Sequence, residues 1–231
     1  MLAGAPVRDK KANTNISRLW REGLEANGVD RLELLEVPDP GGARWTRRKI
    51  EAVAHARQQL LDLAVLEGAT EVWLVDDDVI CGPGVLERMR QAPADVVYGN
   101  FLTTCSWGGH HDFWPQVWRT HPYGFQGHEL TLEALRSGKD QNLEVHGGGA
   151  CTLIRGRALR QTRYAPLLEG LKSAGGMWCG EDRTFAMHCE VKSITQLAVV
   201  GLPIMHLHGQ EELKEEQEQA VRQKVGLCGS A

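Results

Sequence analysis

The sequence predicts an α/β fold of three layers, α/β/α, around a central and mostly parallel sheet. Three observations predict it. Apolar strand-like runs alternate with helical periods through residue 100, turn residues punctuate each change of period, and one run ends in three consecutive aspartates. Leu2 to Val7 reads as a first strand. Asn15 to Ala26 reads as a helix with Ile16, Leu19, Trp20 and Leu24 on one face, stopped by Asn27-Gly28. Leu32 to Val37 is a second strand, closed by Pro38-Asp39-Pro40-Gly41-Gly42. A long helix is expected from about Thr46 to Glu67, ended by Gly68. Val72 to Val75 then forms a buried strand that leads into Asp76-Asp77-Asp78. Pro83 opens a short helix through Met89, and Asp95 to Asn100 makes a further strand. The order β-α-β-α-β-α-β is that of a parallel sheet covered on both faces.

Beyond residue 100 the pattern changes. Phe101 to His128 mixes Trp107, His110, His111, Trp114, Trp118, Tyr123 and Phe125 with glycines and shows no period. An irregular loop facing substrate is the expectation there. Leu143 to Ile154 reads as one strand with Gly147-Gly148-Gly149 in its middle. Glycines there suit close approach of a ligand or another backbone. A helix starts near Arg155, another is expected from Arg183 to Glu190, and Gln196 to Val200 is a late strand leading to His206-Leu207-His208-Gly209. Glu211 to Lys224 forms a charged helix, acidic first and basic last, which suits its dipole.

The bulk numbers exclude some classes. At 231 residues the chain suits one domain, here 1–231, whose pattern divides into 1–100 and 101–231, the latter holding the loop 101–128 and the C-terminal helix. A formal net charge of −4 gives no global basic field for nucleic acid, although Arg44, Arg47, Arg48 and Lys49 form a local basic stretch. Six scattered cysteines without a C-x-x-C pair fit a reducing compartment. No stretch is apolar for long enough to span a membrane, and the N-terminus lacks a signal-peptide layout. The expectation is a soluble, cytoplasmic protein, with a phage-encoded protein in a host cytoplasm as one form of it.

Three adjacent carboxylates repel one another unless a cation or good solvation relieves them. On an extended backbone Asp76 and Asp78 point to one side and Asp77 to the other. Such a pair suits a hard divalent ion, Mn²⁺ or Mg²⁺, bound to a diphosphate. A solvated acidic turn is the plain alternative. His206 and His208 are spaced for one face of an extended segment, and either could supply an imidazole to the ion. Gly209 allows a close turn and favours His208. Asp182 or Glu181 could take a proton from a hydroxyl, whereas a helix N-cap is the ordinary role of an Asp in that position.

These segments together resemble the GT-A fold of nucleotide-sugar glycosyltransferases, most like the family 2 group. Four motifs carry the resemblance in order: Pro6-Val7-Arg8 after the first strand; Ala54-His55-Ala56-Arg57 with Leu74-Val75-Asp76-Asp77-Asp78; Gly147 to Arg155; and Trp178-Cys179-Gly180-Glu181-Asp182 with the later histidines. The resemblance implies a Rossmann-like nucleotide-sugar domain, a D-x-D motif and a metal-dependent glycosyltransferase using a nucleotide-diphosphate sugar, UDP-sugar foremost. It implies metal ligation by Asp78, with Asp76 as a ribose or second metal contact and His206 or His208 completing the site. Asp77 lies on the donor side and braces the turn. Pro6, Arg8, Arg57, Gly148 and Gly149 are implied to line the donor, with Arg8 and Arg57 as phosphate contacts, residues 1–100 as the nucleotide-sugar-binding half and 101–231 as the acceptor half. Glu36 and Asp39 compete for the acidic position after the second strand, with Asp39 taken for the donor. Asp182 is implied as general base, with Glu181 its rival. The acceptor is a hydroxyl, either of a glycan or of a hydroxymethylated base in phage-type DNA. A nucleotidyltransferase is the alternative, but Arg8-Asp9-Lys10-Lys11 lacks the glycines its loop needs. A non-catalytic nucleotide-sugar binding module would need no base at Asp182.

Overall fold

The alternating periods of the sequence become one seven-stranded sheet with helices on both faces. The computed structural model describes residues 1–7, 14–29, 31–37, 47–107, 110–118, 128–165, 181–207 and 212–227. In chain order the elements are β1 (Leu2–Val7), α1 (Asn15–Ala26), β2 (Leu32–Glu36), α2 (Arg47–Leu66), β3 (Glu71–Val75), β4 (Val79–Cys81), α3 (Val85–Arg90) and β5 (Val96–Gly99). There follow β6 (Leu102–Trp107), β7 (His110–Pro115), β8 (Val117–Trp118), α4 (His128–Ser137), β9 (Gln141–Glu144), β10 (Gly147–Gly148), β11 (Cys151–Arg155) and α5 (Gly156–Gln161). The chain continues with α6 (Glu181–Val191), β12 (Gln196–Val200), β13 (Ile204–His206) and α7 (Glu215–Val225).

The large sheet has the order β2-β1-β3-β11-β5-β12-β9. β2, β1 and β3 run parallel, as do β5 and β12. β11 is antiparallel to both β3 and β5, and β9 is antiparallel to β12. The sheet is therefore mostly parallel in strand direction, with an antiparallel strand at its centre.

Side-chain alternation on these strands sends successive residues to two cores. Trp73, Val75, Val97 and Leu153 pack with Leu19, Trp20 and Leu24 of α1, Leu86 and Met89 of α3, and Val221 and Val225 of α7. Val72, Leu74, Val96, Tyr98 and Ile154 pack on the other face with Leu60 and Leu61 of α2, Leu159 of α5, and Phe185 and Cys189 of α6. Each fully buried large apolar side chain contributes about 1.5–3 kcal/mol. Helix ends follow local chemistry. Thr14 Oγ1 caps α1 by accepting from Ser17 N–H at 3.2 Å. Gly68, at φ 70°, closes α2, and Ala69 N–H reaches back to Ala64 O at 2.8 Å.

Three expectations are corrected. The segment expected to be an irregular loop contains an antiparallel pair, β6 with β7, from Leu102↔Pro115 to Trp107↔His110. Aromatics, histidines and glycines in this stretch gave the sequence no period of two. Residues 143–154 do not form one strand. β9 pairs with β12, β10 pairs with β8, and β11 fills the sheet centre, because each glycine-rich break redirects the chain. Finally, α6 begins at Glu181 rather than near Arg183. Among the described residues no helix is long and apolar enough to cross a membrane. Cys81, Cys151 and Cys189 are free, buried thiols.

Candidate functional site

β3 ends at Val75, and the three aspartates that follow form a turn rather than an extended run. Val79 N–H donates to Asp76 O at 3.0 Å, closing the turn. The expected alternation of Asp76 and Asp78 against Asp77 therefore does not apply. Two backbone bonds fix the turn from either side. Asp76 N–H donates to Ala150 O at 2.8 Å, and Leu207 N–H donates to Asp78 O at 2.8 Å. The second bond extends the short ladder in which His206 of β13 pairs with Val79 of β4. That ladder sets the His206 imidazole against Asp78, with Nε2 3.2 Å from Oδ2. The Phe101 ring packs on His206 at 5.8 Å in an edge geometry.

Arg57 organises the other side. It is 4% exposed, on the face of α2 that meets the sheet. Nη2 donates to Asp76 Oδ1 at 2.6 Å, and Nη1 donates to Glu181 Oε1 at 2.8 Å. Its guanidinium carbon lies 5.6 Å from the Tyr164 ring centroid, and Tyr164 stacks on Phe185 at 4.4 Å. The expectation for Arg57 was a phosphate contact. Instead both terminal nitrogens serve internal carboxylates, so Arg57 acts as the buried counter-ion of the cluster.

Asp182 follows Glu181 in the first turn of α6. Its Oδ1 accepts from Arg183 N–H at 2.7 Å, inside the helix rather than as its N-cap. A Cβ added to Gly149 would lie 2.9 Å from Asp182 Oδ2, so glycine at 149 is what lets the carboxylate lie against this strand. Gly148 meets the Tyr98 ring in the same sense, at 2.7 Å, and Gly147 meets Trp118 at 2.5 Å. The glycines thus admit protein side chains where a ligand or a second backbone was expected. Ala150, next in line, holds φ 62°, a conformation that L side chains rarely adopt. Pro6 lies in β1, paired with Leu35.

The electrostatics follow from burial. Burial pushes the Glu181 carboxyl up to about 7, against the pull of Arg57 and with Asp182 adding to the rise. Burial likewise raises Asp76, opposed by Arg57 and reinforced by Asp78, and raises Asp182, opposed by Arg57 and the Arg183 N–H. For Arg57 burial acts to lower the value, but Asp76 and Glu181 outweigh it and hold the guanidinium above its ordinary range. Asp76 also feels His206, which ties the two halves of the cluster together.

Arg57, Asp76, Asp78, Glu181, Asp182, Gly149 and His206 are therefore brought together at the carboxyl end of β3, where open α/β sheets bind ligands. Asp77 is partly buried in the same turn. Arg8, Asp39 and His208 lie outside the described residues, as does most of the Trp178–Gly180 approach to α6. Among the described residues no group of three or more His, Cys, Asp or Glu side chains is already gathered around a metal position. Sequence reasoning missed Tyr164, Ala150 and Asn100. Asn100 is buried with neither side-chain atom partnered among the described residues. Its one signal in the sequence was a carboxamide at the carboxyl end of an apolar strand.

A197 from STIV shares this architecture, with a TM-score of 0.55 at 17% identity over 89% of this chain and 84% of that one. Structures with looser overlap include the catalytic domain of Drosophila β1,4-galactosyltransferase 7 in complex with xylobiose, with a TM-score of 0.46 at 12% identity over 96% of this chain and 79% of that one. The inositol-1-phosphate CTP transferase from T. maritima overlaps with a TM-score of 0.48 at 9% identity over 100% of this chain and 97% of that one. No family model and no curated protein matches the chain. At these identities the likeness is one of fold.

Proposed function

We propose that the protein is a metal-dependent glycosyltransferase that moves a sugar from a nucleotide-diphosphate sugar, UDP-sugar foremost, to a hydroxyl of a glycan or of a hydroxymethylated DNA base. The observation that carries the reading is the convergence of the Asp78–His206 pair, the Arg57-held Asp76 and the Gly149-apposed Asp182 at the carboxyl end of one strand. Asp78 Oδ2 and His206 Nε2 fit a shared divalent ion. The two atoms stand 3.2 Å apart, and together they would hold the ion. The mixed carboxylate and imidazole set suits Mn²⁺, and Mg²⁺ with water completing its shell. When bound, the ion neutralises the negative charge that grows on the leaving diphosphate.

The remaining groups act through position. Arg57 holds Asp76 and Glu181 in fixed orientation, and the Tyr164–Phe185 stack packs against that guanidinium. Asp182, with its proton affinity raised by burial, takes the proton from the acceptor hydroxyl as the new glycosidic bond forms. Glu181 faces inward to Arg57 and is the weaker choice for that step.

Incubation with a panel of nucleotide sugars and Mn²⁺ tests the reading. Slow, chelator-sensitive release of nucleoside diphosphate is expected. Release of pyrophosphate from a nucleoside triphosphate and a sugar phosphate, without hydrolysis of any nucleotide sugar, would instead establish nucleotidyl transfer.

A further inference from the structure

Asn100 is 1% exposed, and neither Oδ1 nor Nδ2 finds a hydrogen-bond partner among the described residues. Comparable carboxamides in this chain are satisfied. Asn27 Nδ2 donates to Gly23 O and to Gly82 O, each at 2.8 Å, and its Oδ1 accepts from Leu86 N–H at 3.0 Å. Gln196 accepts from the Tyr98 hydroxyl at 2.8 Å and donates to Ala186 O at 3.4 Å. A buried carboxamide left open at both ends costs stability and calls for a ligand or an ordered water.

Its place in the fold points to the ligand. Asn100 N–H donates to Val199 O at 3.0 Å, prolonging the β5–β12 ladder past Gly99. Val97 and Phe101 pack on the α1 side of the sheet, and Val96 and Tyr98 on the α2–α6 side. Alternation therefore turns Asn100 to the face that carries Arg57, Glu181 and Asp182. β11 pairs Cys151 with Val75 and Thr152 with Tyr98. Asn100 follows Tyr98 by two residues and Asp76 follows Val75 by one, so both stand at the end of the sheet where Asp76 N–H donates to Ala150 O at 2.8 Å. Gln116 spans the region, donating N–H to Phe101 O at 3.0 Å and accepting from Gly149 N–H at 3.2 Å. Asn100 thus neighbours Phe101, whose O holds Gln116, and a ligand that pairs with its carboxamide must displace the packing that leaves it 1% exposed.

We propose that Asn100 recognises the transferred sugar, its Nδ2 donating to one hydroxyl and its Oδ1 accepting from a neighbouring one. The inference rests on the nucleotide-sugar donor proposed above. Two adjacent hydroxyls offer both a donor and an acceptor and satisfy both ends of a carboxamide. A diphosphate offers acceptors alone and a metal ion takes oxygen alone, so each would leave one end open. A nucleobase edge could also satisfy both, but its loss would weaken UDP and UDP-sugar alike.

The test is calorimetric titration of the full chain and of Asn100→Leu with Mn²⁺ and UDP, UDP-glucose or UDP-galactose, beside a thermal melt of each protein. Leucine has nearly the same shape and no polar atoms. The melting temperature should hold or rise. UDP affinity should stay within about twofold, while the better-bound UDP-sugar weakens by about tenfold or more. Should Asn100→Leu fail to fold, Asn100→Asp removes the donor and should show the same selective loss for the sugar nucleotide. Wild-type protein that binds none of the three nucleotides sinks the donor reading, and the inference with it. Wild-type binding matched by the variant for both sugar nucleotides, or an equal loss for UDP and UDP-sugar, overturns the assignment of Asn100 alone.

Discussion

Arg57→Met deletes the guanidinium from between Asp76 and Glu181 while keeping an unbranched side chain in its place. Both partners then face each other without a cation in a setting where Arg57 is 4% exposed. Removing one partner of a buried ion pair costs about 3–5 kcal/mol. For a chain of this size each kcal/mol moves the melting temperature by about 2–4 °C, so a fall of roughly 6–20 °C is expected near pH 8. Arg57 opposes the rise that burial imposes on both carboxyls. Without it their folded-state values climb further, and the folded state binds more protons than the unfolded one. Stability then declines as pH rises through those values and returns as pH falls below the ordinary carboxyl range. Thermal melts of wild type and variant at pH 5 and pH 8 read this directly. The gap between the two proteins should narrow at pH 5. A variant that melts within a degree of wild type at both pH values would refute the role of Arg57 as the buried counter-ion.

Glu181→Gln removes the titration of a carboxyl raised from 4.5 to about 7. Wild-type stability should fall as pH rises from 4.5 through 7, and the Gln variant should show a flatter profile over that window in pH-dependent denaturation. Asp182→Asn keeps shape but cannot take a proton. Turnover should drop by about 10²–10⁴ with donor affinity barely changed, measured by steady-state kinetics beside calorimetry. Asp78→Asn should weaken Mn²⁺ binding and reduce turnover by roughly 10² or more, with His206→Gln acting in the same direction, as read by metal titration and rate. Full activity of either variant in chelator would remove the metal from the mechanism.

Much of the frame was legible because periodicity carries it. The strand before Asp76, the Trp20 face of α1 and the long α2 all follow from apolar spacing within one element. What escaped was long-range pairing. Glu181 lies 124 residues beyond Arg57, so nothing local marks their ion pair, and Arg57 read as a surface phosphate contact. The aspartate triplet stood out in the sequence, yet its turn geometry depends on Ala150 and Leu207, which reach it from distant segments. The glycine run concealed three short strands with four different partners, because glycine supplies no side chain whose alternation could assign a face.

The antiparallel β11 has a consequence for how the chain is made. β3 and β5 never touch as strands; the slot between them stays empty until residues 151–155 leave the ribosome. A nascent chain ending near residue 100 can join β2, β1 and β3, but β5 has neither of its neighbours, since β12 is later still. For that interval two strand edges, Val72 to Val75 and Val96 to Gly99, are open to any other chain nearby. Closure of the centre also delivers Ala150 to Asp76, so the aspartate turn gains this bond as the slot fills, before β12 closes the remaining gap between β5 and β9.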